Sequence, residues 1–204
     1  AVLAPMRVEV EQLAAAGLVA TSPAVLREFG FDRIHLAAAD CDPGALALDA
    51  SSRALADAGL DAGEIDLVIW ASARPESHVK PIRKRTPESG IDLFDGFRYQ
   101  SGWLQEALAL DNAEVLGVSQ QGCSTMFSAL RAARAILAAE PDRSHALCVA
   151  VDVLPAGAPR EILYNVISDG ACAVVVSRDC KADRWIGFRQ ISRGYFWDPV
   201  ERAP

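Results

Sequence analysis

A cysteine stands where an apolar, strand-like run gives way to residues at helical spacing, in VLGVSQQGCSTMFSALRAARAIL, residues 115–137. If 115–119 is a strand and 124 onward a helix, Cys123 sits at the helix N-terminus. There, unpaired backbone N–H groups and the positive end of the dipole favour its anion. A thiolate at such a junction is a nucleophile. Gly122 before it lets the chain turn sharply and leaves room for a substrate to approach. Local chemistry leaves a plainer role open, since cysteine is among the residue types most often buried as a small apolar side chain. The other reactive types do not gather around it in sequence. The three histidines, His35, His78 and His145, are scattered, and each is expected to be structural or solvated rather than a base. Cys41, Cys148, Cys172 and Cys180 complete an odd set of five with no C-x-x-C pair, so neither a disulfide framework nor a metal site is expected.

The elements that must position this thiol follow from periodicity. Residues 44–59, GALALDASSRALADAG, place Leu48, Ser51, Ser52 and Leu55 on one face and close on Gly59, as a helix with a glycine cap does. The next run, IDLVIWAS at 65–72, is apolar on both faces, the pattern of a strand covered on either side. A helix at 101–110, a strand at 113–119, a helix at 123–139 and strands in HALCVAVDVL and GACAVVVSR follow. Strand and helix alternate, so the expected class is α/β, a mostly parallel sheet with helices on both faces. Two stretches break the rhythm: residues 73–97, rich in proline, glycine and charge, and PAGAPREILYN after Val153. The closing WDPVERAP reads as a tail.

Composition narrows the function. The 204 residues suit a single core. Half are hydrophobic (51%), yet runs such as 171–176 fall far short of the roughly 20 residues of a membrane span. The first residues carry two glutamates and lack the basic, apolar layout of a secretory signal, so a soluble, cytoplasmic protein is expected. With a net charge of −7 and no basic patch interleaved with aromatics, nucleic-acid binding is disfavoured.

Four segments in order, ALADAGLDAGEIDLVIWAS, QQGCSTMFSALRAARAIL, HALCVAVD and NVISDGACAVVV, resemble the first half of the thiolase superfamily. The resemblance is strongest to its β-ketoacyl-acyl-carrier-protein synthase III branch. The family's Gly-Asp-Gly-Ala-type turn is here Ser168-Asp169-Gly170-Ala171, and REFGFDRIHLA at 27–37 looks like its arginine-bearing segment. The resemblance implies that residues 1–204 form the thiolase-like N-terminal domain carrying the nucleophile Cys123, with the C-terminal repeat absent from this chain. It also implies acyl transfer to Cys123 from a coenzyme A or acyl carrier protein thioester, as in fatty acid or polyketide biosynthesis. The backbone N–H of Cys123 would serve as an oxyanion donor. The acceptor is a decarboxylated malonyl unit, a hydroxyl or an amine, and no bound cofactor is implied.

The pattern departs in two places. The family's histidine and asparagine belong to the second half, so either the chain is a fragment or a separate chain supplies that half. The positions that would sandwich coenzyme A align with Ala24 and Glu28, one without a ring and the other repelling phosphate, so a carrier-protein thioester is the preferred donor. Tyr99, in Tyr99-Gln100-Ser101, matches a family aromatic that crosses a dimer interface to line the neighbouring acyl tunnel, which makes a homodimer the expected assembly. An ordinary half-buried loop aromatic is the plainer role for it. The basic stretch KPIRKR at 80–85 is either a solvated loop or a surface for an acidic carrier. Two rivals to the acyltransferase remain at this point: a non-catalytic thiolase-like subunit that stabilises or regulates a partner, and a free-standing cysteine hydrolase.

Overall fold

The computed structural model describes residues 1–73, 99–162, 165–180 and 183–191. At its centre is the strand Leu67–Ala71 (β4), buried along its whole length. Its alternating side chains divide between two cores, as a doubly covered strand requires. Val68 and Trp70 enter one cluster with Ala47, Ala50 and Leu55; Leu67, Ile69 and Ala71 enter another with Ala129, Ala133 and Leu137. His145–Asp152 (β6) lies parallel to β4 and divides in the same way, Val68 facing Leu147 and Ile69 facing Cys148 across the ladder. Glu114–Val118 (β5) pairs parallel to the other side of β4.

Gly170–Ser177 (β9) and the short Val2–Leu3 (β1) complete a five-stranded sheet in the order β1-β9-β6-β4-β5. β9 is antiparallel to β6 and β1 antiparallel to β9, so every strand but β9 points the same way. The α/β class with a mostly parallel sheet and helices on both faces is what the chain adopts.

The helix Pro43–Ala58 (α3) covers one face. Asp42 caps it by accepting the Gly44 N–H at 2.9 Å, Pro43 occupies the first turn, and Gly59 ends it at φ 66°. Its buried stripe is Ala47, Ala50, Ser51 and Leu55, whereas Ser52 is exposed and Leu48 only partly covered. Ser51 belongs there because its hydroxyl donates to the Ala47 carbonyl at 2.7 Å, and alanines let the helix lie close on β9 and β6. Gln100–Ala107 (α4) shares this face, and Thr125–Ala139 (α5) lies on the other, buried through Thr125, Ala129, Ala133 and Leu137.

A third cluster joins Val10–Ala15 (α1), Pro23–Glu28 (α2), the antiparallel pair Met6–Glu9 (β2) and Arg33–Leu36 (β3), and Val166. The break after Val153 folds into a small antiparallel pair, Glu161–Ile162 (β7) with Asn165–Val166 (β8). Among the described residues no helix is long and apolar enough to cross a membrane.

Asp169 holds these parts together. It is fully buried; its carboxylate accepts the N–H of Ala37 (2.8 Å), the N–H of Leu154 (2.9 Å) and the guanidinium of buried Arg160 (2.5 Å). Its own N–H donates to the His35 carbonyl at 2.8 Å, and its carbonyl accepts from Ala4. Gly170 follows because a Cβ there would stand 2.9 Å from the Val2 carbonyl oxygen of β1. The turn the sequence singles out thus works as a structural knot, and its partner Arg160 carried no signal in the sequence.

Candidate active site

Cys123 lies on the link between β5 and α5, at the carboxyl end of the parallel strands β4, β5 and β6. That is the end where open α/β sheets place their ligands. The link is tight: Gln120 takes a left-handed φ of 65° and Gly122 one of 51°. A non-glycine residue in that region costs roughly 1–2 kcal/mol. The α-helix begins at Thr125, not at Cys123, correcting the expected start; residues Gly122–Ser124 form a 3-10 turn. The reason is local chemistry. Ser124 Oγ donates to the Gln121 carbonyl and Thr125 Oγ1 to the Gly122 carbonyl, each at 2.7 Å, which draws the chain into i→i+3 bonding before the helix opens.

Cys123 is exposed at this turn, so it does not fill the buried role open to it from sequence. Gln121 beside it accepts hydrogen bonds from Ser128 Oγ and, at 3.3 Å, from Gln190 Nε2. Of the other thiols, Cys148 is fully buried and burial pushes it up to about 12. Burial is the first cause raising Cys172 and Cys41 as well, and Cys180 is exposed.

The histidines do not join Cys123. His35 Nδ1 lies 2.8 Å from the Ala4 carbonyl, in the β2–β3 layer. His145 opens β6, at the opposite end of the sheet, with Nδ1 2.9 Å from Ser177 Oγ. Each has the structural role expected of it. His78 and the 80–85 basic stretch lie outside the described residues. Tyr99 precedes α4, 70% exposed, so it is no half-buried loop aromatic. Sequence reasoning missed one feature at the Cys123 end of the sheet: Asp152, at the end of β6, accepts from Ser72 Oγ at 2.9 Å and from the Ala73 N–H at 3.1 Å. Its only sequence signal was its place after an apolar strand.

A thiol displayed on a strained turn at the mouth of an α/β sheet suits attack on an electrophilic carbonyl, and known proteins with this fold bear on that chemistry. No protein-family model matches the chain. The β-ketoacyl-[acyl-carrier-protein] synthase III of Paracoccus denitrificans (strain Pd 1222) is 36% identical over 89 residues, 43% of this chain and 27% of the relative. Among solved structures, ChlB3, described as an acyltransferase, superposes with a TM-score of 0.67 at 27% identity, covering 88% of this chain and 48% of its own. The 3-oxoacyl-(acyl carrier protein) synthase III of Pseudomonas aeruginosa PAO1 gives 0.63 at 25%, covering 89% and 50%.

The chain is therefore similar to thiolase-like proteins, a group that includes condensing enzymes and acyltransferases. Within that group the likeness is to the ketosynthase III type, and the chain spans about half the length of those structures.

Proposed function

We propose that this chain is the nucleophile-bearing, N-terminal half of a ketosynthase III-like acyltransferase or condensing enzyme. The observation that carries this is Cys123, exposed on the tight β5–α5 turn of a thiolase-like fold that spans half of its structural relatives. The Cys123 sulfur attacks the carbonyl carbon of an acyl thioester. The tetrahedral oxyanion takes the Cys123 N–H as one donor. Collapse breaks the carbon–sulfur bond to the donor, whose thiolate leaves and picks up the proton, and the acyl group stays on Cys123. Passing it to an acceptor calls on a histidine and an asparagine from a second half, because His35 and His145 are engaged in structural contacts.

An acyl carrier protein thioester is the proposed donor, since Ala24 and Glu28 offer coenzyme A neither a stacking ring nor a positive charge. The assembly proposed is a homodimer through the β5 edge, with Tyr99 reaching toward the neighbouring subunit. Val115 and Leu116 support this, 37% and 36% exposed on a strand paired on one side only among the described residues. The same open surfaces suit a scaffold subunit, and chemistry separates the two. Mixed with an acyl-carrier thioester, the chain should release about one equivalent of carrier thiol and stop, and should turn over when a second half is supplied. No thiol release in either case leaves the scaffold subunit.

A further inference from the structure

The turn that carries Cys123 is fixed from outside at its two ends. At the entrance Ser72, just past β4, donates its N–H to the Val118 carbonyl at 3.2 Å; at the exit buried Thr125 and Ala129 seat the start of α5 against the sheet. Between these ends Gln120 and Gly122 both hold left-handed φ values. A non-glycine residue keeps such a conformation only where its surroundings over-determine it.

Gln121, between the two, gathers contacts of two kinds. Its carbonyl accepts the Ser124 N–H at 3.1 Å and the Ser124 hydroxyl at 2.7 Å, bonds that any residue at this position could receive. Its side-chain Oε1 accepts from Ser128 Oγ and, at 3.3 Å, from Gln190 Nε2, bonds that require the glutamine. The Ser128 bond closes a ring from residue 121 to residue 128, and Cys123 lies inside that span. Gln190 arrives from the segment after β9, which rests on α5 where the Arg131 guanidinium lies 5.4 Å from the Phe188 ring centre.

We infer that Gln121 is a positioning residue for Cys123: its side chain clasps the first turns of α5 and so fixes the turn from which the sulfur meets a carbonyl. The inference rests on the reading of Cys123 as the acyl-accepting nucleophile, because attack needs the sulfur aimed at the carbon while the Cys123 N–H meets the oxygen. What the clasp uses is an acceptor oxygen. Glutamate in its place keeps that oxygen, whereas methionine keeps the length and loses it.

The test compares the intact wild-type chain with Gln121→Met, Gln121→Glu and Ser128→Ala by residue-resolved hydrogen exchange and by the burst of thiol released from an acyl-carrier thioester. In Gln121→Met the Ser124 and Thr125 amides should exchange about tenfold faster, the size of one lost hydrogen bond, while the amides of β6 keep their rates. Its burst rate constant at saturating thioester should fall about tenfold with an unchanged half-saturating concentration. Gln121→Glu should stay within about threefold of wild type in both measurements, and Ser128→Ala combined with Gln121→Met should be no slower than Gln121→Met alone. The inference is overturned if Gln121→Met leaves Ser124 and Thr125 exchange unchanged, if it leaves the burst rate unchanged, or if Gln121→Glu is as impaired as Gln121→Met. A wild-type chain that releases no thiol defeats the acyl-transfer reading by itself; the clasp is then decided by exchange, standing if Gln121→Met speeds it and Gln121→Glu does not, and falling otherwise.

Discussion

Each of the five thiols has its own surroundings, and these decide which can react. Cys148, in the middle of β6, must lose its proton inside the apolar layer under α5, and burial puts its pKa at about 12. Near neutral pH its thiolate fraction is about a thousandfold below that of a thiol at the ordinary 9.0, before access is counted. Brief iodoacetamide treatment of the native chain at pH 7.5, read by peptide mass spectrometry, should label Cys123 and Cys180 and leave Cys148 untouched until urea is added. Equal labelling of Cys148 in the native state would show that the β6–α5 layer is open. The place of Cys123 at a strand-to-helix junction was legible because a cysteine at the end of an apolar run and the start of a helical one is a local pattern. That it precedes the helix was not, because the hydroxyl bonds of Ser124 and Thr125 that tighten the turn depend on a left-handed Gln120 that no residue type announces.

At the scale of elements, two carboxylates tie distant segments together. Asp169→Ala would strip an acceptor from the N–H groups of Ala37 and Leu154 and leave Arg160 charged and buried, at a cost of about 3–5 kcal/mol in urea unfolding. Arg160→Met should cost less, because the carboxylate keeps its two backbone donors; the reverse order would mean that the ion pair, not the backbone bonds, holds the turn. Glu161, on β7, accepts from the Thr21 hydroxyl and from the N–H groups of Ala20 and Thr21. The Thr21 hydroxyl is the first cause holding its pKa below the ordinary 4.5. A depressed carboxylate stabilises the fold above 4.5, and that contribution is lost as pH falls through the lowered folded value. Unfolding midpoints between pH 6 and 3 should therefore decline less steeply for Glu161→Gln than for wild type; identical slopes would show that this contact does not report on folding.

Regular elements were the readable part of the architecture. Gly59 ends α3 as its sequence signals, and β4 is apolar on both sides because two helical layers cover it. The reversed direction of β9 left no mark in GACAVVVS, since a buried strand reads the same in either sense. The knot at Asp169 and the pairing of Arg160 join segments through tertiary contact alone.

Among the described residues, three packed clusters form the interior while α5 and β5 keep apolar groups exposed. α5 buries Ala129, Ala133 and Leu137 but turns Phe127 outward, 59% exposed, and β5 shows Val115 and Leu116 at the sheet edge. Exposed apolar groups on a strand edge and a helix face favour association. Sedimentation at micromolar concentration should show at least a dimer, and Leu116→Lys, which places charge on the edge, should shift it toward monomer. A wild-type monomer would show that neither surface recruits a second copy.

The central claim is that Cys123 takes an acyl group from a thioester. Its most direct test is peptide-resolved mass spectrometry of the chain after incubation with an acyl-carrier thioester, in parallel with Cys123→Ser. A single adduct of the acyl mass on the peptide containing Cys123, absent from the variant, is the expected result. An adduct that persists in Cys123→Ser, or none on Cys123 even with the second half present, would contradict it.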